Sequence, residues 1–223
     1  VYRHLEFCHQ CLWPKMDVHL ISTTDAWAQI AIAGPNSRKV ISKILDKEFD
    51  ISNEKFPFMS CKELTICGGI TARLFRISFS GELAYELSLP TQYASSFVSY
   101  LMKVGKEENI IPYGTEALGV MRIEKGHAAG AELNGTISAL NLNMEKMVSP
   151  QKDSIGMILS KREGLCLPDG LRLIGLKPIN PKNQLISGSH LFNENENRIP
   201  ENDLGYVTSV SYTHLTLPTS SQV

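Results

Sequence analysis

"RLFRISFSGELAYELSLP", Arg73 to Pro90, is the stretch on which the fold class turns. From Leu83 it alternates: Leu83, Tyr85, Leu87 and Leu89 fall on one side, and Ala84, Glu86 and Ser88 on the other. A period of two is that of a half-buried strand, and Ser80-Gly81 just before it marks a turn. Upstream, "CKELTIC", the pair Gly68-Gly69 and "ITARLFRISFS" read as a hairpin that feeds this strand. Glu86 then stands at the centre of the polar side. A carboxylate there either faces water or meets a ligand, and the strand alone leaves both open.

Further out, Val1, Leu5, Cys8 and Leu12 recur at helical spacing as far as Trp13-Pro14, which ends that helix. "MDVHLIS" and "WAQIAIAG" read as strands, and "GPNSRKVISKIL" as a helix with Val40, Ile41, Ile44 and Leu45 on one face. Asp50 to Phe58 is a polar loop. "TQYASSFVSYLMKVG" predicts an amphipathic helix using Tyr93, Phe97, Leu101 and Val104, and "TEALGVMRIEKG" another, closed by Gly126. From about Glu163, "LRLIGLKP", "QLISGSHLF" and "DLGYVTSVSY" read as short strands between turns, which predicts a small β-barrel or sandwich. Strands and helices mix without a regular βαβ rhythm, so the expected class is α+β.

A chain of 223 residues with 43% hydrophobic content can bury a full core in one large or two small domains. Its 22 basic and 23 acidic residues nearly cancel, which is not the electrostatic footprint of a nucleic-acid binder. No apolar run approaches the roughly 20 residues that cross a bilayer, and no signal segment opens the chain. Val1 already lies inside a helical pattern, so the chain reads as a piece of something longer. The five cysteines are scattered, and "CHQC" has neither a second C-x-x-C nor an H-x-x-x-H partner. Reduced cysteines in a cytoplasmic protein are expected, with no metal site. No phosphate-binding glycine loop, nucleophile elbow or H-E-x-x-H motif is present. Arg122 and Glu124 in "RIEKG" read as a local ion pair or a solvated helix face.

In order along the chain, "ISFSGELAYELSLP", "PYGTEALGVMRIEKGHAAGAELNG", "KDSIG", "RLIGLKP" and "LGYVTSVSY" resemble the folate-dependent aminomethyltransferase family, which includes the glycine-cleavage T-protein. The resemblance spans roughly residues 1–212. Within the family, "GTEALGVMRIEKGH" and "LEFCHQCLWPKMDVHLISTTDAWAQIAIAGP" are most similar to the C-terminal half of the alpha-subunit group of heterotetrameric sarcosine oxidases. This implies a folate-binding domain over 1–160 lacking its N-terminal part, an incomplete C-terminal β-barrel over 161–212, and a non-native tail over 213–223.

The resemblance also implies roles. Glu86 matches the glutamate that holds the pterin ring of tetrahydrofolate, whose amino-pyrimidinone edge offers two parallel N–H donors to a carboxylate. Arg122 is a second folate-binding candidate. The T-protein's other folate-contacting arginine falls on Leu118 here and is not carried over. The family aspartate near the reactive folate nitrogens belongs to an upstream segment, so no catalytic residue is assigned. The implied reaction moves a methylene group from oxidised sarcosine to tetrahydrofolate, giving 5,10-methylenetetrahydrofolate and glycine. FAD, FMN and NAD are expected only in the full complex with beta, gamma and delta subunits, not on this chain. Nucleic acid and membrane are not expected partners. Alternatives are a glycine-cleavage T-protein, a dimethylglycine dehydrogenase-like enzyme or a sulfonium demethylase. A non-enzymatic iron–sulfur assembly factor of this fold would carry "K-G-C-Y-x-G-Q-E", where this chain has "KGHAAGAELNG" with His127 in place of the cysteine.

Overall fold

Arg73–Pro90 contributes to two strands of a four-stranded antiparallel sheet in the computed structural model, which describes residues 1–47, 49–167, 170–180, 183 and 185–211. The chain forms two units, Val1–Ser78 with Glu82–Pro112, and Phe79–Gly81 with the chain from Tyr113 onward. The mixture of helices and an antiparallel sheet is that expected of an α+β protein.

In the first unit, α1 (Tyr2–Phe7) runs into a π-helical turn, Cys8–Leu12, and stops before Pro14. Then come β1 (Trp27–Ala33), α2 (Ser37–Ser42), β2 (Cys61–Ile66), β3 (Ile70–Phe75), β4 (Ala84–Pro90) and α3 (Ala94–Val104). The sheet order is β1-β4-β3-β2, so β4 is an inner strand paired on both sides. Register places Ile32 opposite Tyr85, and Leu87 between Ile30 and Leu74. Tyr85, Leu87, Leu89 and Leu74 are fully buried. Val40 and Ile41 of α2, with Phe97 and Leu101 of α3, close over the same face. Each such burial stabilises by about 1.5–3 kcal/mol. The Tyr85 hydroxyl is satisfied inside this core: it accepts from Arg38 Nε at 3.0 Å and donates to the Ile51 carbonyl at 3.4 Å.

One strand expectation fails here. Among the described residues "MDVHLIS" has no pairing partner; its backbone turns on itself, Val18 N–H donating to the Met16 carbonyl at 3.0 Å, and Met16, Val18 and Ile21 are exposed. Alternating polarity is not enough without a neighbouring backbone to pair with.

The second unit holds α4 (Thr115–Glu124), α5 (Ile155–Ser160), β5 (His190–Leu191) and β6 (Gly205–Tyr206). The turn after α4 is made by Gly126 at φ 78°, as a helix C-terminus favours. "QLISGSHLF" and "DLGYVTSVSY" do pair antiparallel, through β5 and β6 and flanking bonds such as Val207 N–H to the Ser189 carbonyl at 2.9 Å. "LRLIGLKP" is not a strand. Leu173 N–H donates to the Asn141 carbonyl at 2.7 Å, while the side-chain amides of Asn141 and Asn143 donate to the Leu171 and Leu173 carbonyls at 2.8 and 3.0 Å. Side-chain amides here take the place of a neighbouring strand. Among the described residues the region after Glu163 therefore shows one short ladder, and the tail 213–223 lies outside them.

Candidate functional site

Because β4 alternates, its polar side lies opposite the Tyr85–Leu87–Leu89 core. Glu86 sits at the middle of that side, between Ala31 on β1 and Phe75 on β3. Pairing on both edges fixes its backbone, and the side chain is half-buried. Neither direct neighbour offers a side-chain hydrogen-bond donor. One residue pair along, Ser88 lies between Gln29 and Arg73, and the Gln29 side-chain amide donates to Oε2 of Glu86. Ser88 is buried at 8% exposure although on the polar side, because the longer Gln29 and Arg73 flank it.

Arg73 is engaged elsewhere. Its guanidinium lies over the Trp27 ring, 4.1 Å from the centroid, and its Nε is 3.6 Å from the Glu63 carboxylate. Among the described residues no cationic side chain lies within ion-pair distance of Glu86. The arrangement is a strand-mounted carboxylate, steadied by a neutral amide, with its charge uncancelled by a salt bridge. Chemically it can accept from a pair of N–H donors.

Arg122 has a different setting, inside the second unit. Its guanidinium donates to the Glu132 carboxylate at 3.2 Å, to the His127 carbonyl at 3.3 Å and to Ser209 Oγ at 2.8 Å. Glu132 is 5% exposed. Burial alone would raise its carboxyl pKa, but hydrogen bonds from the Ser209 and Thr208 hydroxyls and the Ala129 N–H outweigh it and hold the pKa at about 2. The partner of Arg122 is thus Glu132 and not the adjacent Glu124, a pairing that the sequence reading missed. No spacing rule connects positions 122 and 132; the left-handed turn at Gly126 brings the loop back, and only that glycine hinted at it. His127 places Nδ1 3.0 Å from the Phe79 carbonyl.

Among the described residues no group of three or more histidine, cysteine or acidic side chains could hold a metal ion, and the cysteines are free. No helix among them is long and apolar enough to cross a membrane.

Comparison with known proteins supplies the remaining constraint. Residues 1–152 match the family described as GCVT N-terminal domain. Sarcosine oxidase subunit alpha of Rhizobium meliloti (strain 1021) is 50% identical over 214 residues, which is 95% of this chain and 22% of that protein. The protein of the same name from Corynebacterium sp. (strain P-1) is 39% identical over 188 residues, 84% of this chain and 19% of that one. The mitochondrial dimethylglycine dehydrogenase of Mus musculus is 34% identical over 143 residues, 63% of this chain and 16% of the enzyme. The chain spans about a fifth of the length of these curated relatives.

Proposed function

The chain belongs to the GCVT N-terminal domain family, and from that premise we propose that it is the folate-binding region of a sarcosine oxidase alpha subunit. The observation that carries the reading is Glu86: a carboxylate at the centre of an inner strand, with no cation paired to it among the described residues. The donor chemistry fits. Gln29 occupies one acceptor site on Oε2, and an ionised carboxylate has about four, which leaves room for two parallel N–H donors of a pterin edge. When bound, tetrahydrofolate supplies the acceptor for the one-carbon unit, here the methylene derived from sarcosine.

What the chain's own residues do is bind and orient. Glu86 fixes the plane and rotation of the ring, and the doubly paired strand holds Glu86, so the contribution is geometric. Arg122, the second folate-binding candidate, makes three bonds inside its own unit, to Glu132, Ser209 and the His127 carbonyl, and so fixes the 127–132 loop there. The same reading carries a folate-binding domain over 1–160, supported by a family match that ends at residue 152, and a barrel-type domain beginning near 161. It also carries a cytoplasmic setting, beta, gamma and delta partner subunits, and FAD, FMN and NAD held outside this chain.

The test uses the full-length protein assembled with its partner subunits. Glu86→Gln should leave sarcosine consumption intact while product shifts from 5,10-methylenetetrahydrofolate toward formaldehyde when tetrahydrofolate is supplied. An unchanged product ratio would remove Glu86 from the folate site.

A further inference from the structure

We infer that Gln29 is a positioning residue for Glu86: its side-chain amide holds the carboxylate in the orientation that reads a two-donor ligand edge. The inference rests on the folate reading of Glu86 given above. Its basis is strand register. Ala31 and Phe75, the direct neighbours of Glu86, bring no side-chain donor. Gln29 stands two residues from Ala31 on β1, on the same face, and a diagonal neighbour at that separation is within reach of a long side chain. It makes that reach, Nε2 donating to Oε2 of Glu86. Arg73, which flanks Ser88 on the same face, is stacked on Trp27 and paired with Glu63.

The residue type matters as much as the contact. The last torsion of a glutamate is broad, so an unheld carboxylate swings about its own axis. A ligand presenting two parallel donors needs that plane fixed before it arrives. A lysine or arginine at position 29 would also hold the plane, but it would cancel the charge that the ligand's donors read. A neutral amide holds the group and leaves the charge.

The experiment measures tetrahydrofolate dissociation constants by calorimetry on the full-length protein, for wild type, Gln29→Leu, Gln29→Glu and Glu86→Gln. Gln29 is exposed, so its substitution spares the core. Gln29→Leu should weaken binding about five- to thirtyfold. Gln29→Glu gives a readout that a merely structural residue would not move. At low pH a protonated carboxyl at position 29 donates as the amide does; at high pH two ionised carboxylates repel. Its affinity relative to wild type should therefore fall between about pH 5 and pH 8. Arg73 and Glu63 face this site from β3 and β2; Arg73 favours and Glu63 opposes ionisation of the introduced carboxyl, which moves the midpoint of the fall but not its direction. Gln29→Leu binding within twofold of wild type, or a flat ratio for Gln29→Glu, overturns the inference. If Glu86→Gln is weakened at the same time, the folate reading survives it; if all four proteins bind alike, both fall.

Discussion

Glu132 shows how one side chain sets a pH limit. Its folded pKa of about 2 lies below the ordinary 4.5, so its stabilising contribution is complete above about pH 4.5 and is lost as pH falls through 2. At 1.36 kcal/mol per unit the shift corresponds to roughly 3 kcal/mol. Glu132→Gln should melt at lower temperature than wild type at pH 6, since Arg122 is left without its carboxylate. Its melting temperature should also change less between about pH 5 and pH 3. Parallel curves for the two proteins would show that Glu132 does not carry the acid sensitivity. Residue identities alone named Arg122 and could not name its partner. Glu86 was different: alternation gave its face, although not the amide that steadies it, because a diagonal cross-strand contact depends on register and not on sequence distance.

At the scale of elements, legibility followed the kind of force involved. β4, β1 and the β2–β3 hairpin were readable because burial on one face writes a period of two into the sequence. α2 and α3 were readable for the same reason at a period of 3.6. "MDVHLIS" and "LRLIGLKP" carry similar local polarity but have no strand to pair with among the described residues, and pairing is decided by distant chain. In the second case Asn141 stands in for it, accepting from Ser138 N–H and Oγ at 2.7 Å each while donating to the Leu171 carbonyl. Asn141→Ala should destabilise the second unit by about 1–3 kcal/mol, because those donors and the carbonyl lose their partner together. Amide hydrogen exchange at Leu173, whose N–H is bonded to the Asn141 backbone carbonyl, should accelerate. Exchange there at the wild-type rate would mean that the backbone bond alone holds the segment.

At the scale of the molecule, each unit exposes large apolar side chains among its described residues. Leu5, Phe7, Trp13 and Ile21 are exposed in the first unit, and Ile155, Ile158, Ile174 and Ile186 in the second. Apolar side chains drive association where they lie together. The 223 residues produced alone should self-associate at micromolar concentration, as read by light scattering; a monodisperse monomer with one cooperative melting transition would contradict this. The central claim is narrower and concerns the polar side of β4. Its most direct test is a titration of tetrahydrofolate into the full-length protein and its Glu86→Gln variant. Turning one acceptor into a donor that faces a donor should cost about 2–4 kcal/mol, so the variant's dissociation constant should rise roughly thirtyfold to several-hundredfold. Equal dissociation constants would mean that Glu86 faces water and that the strand does not read the pterin.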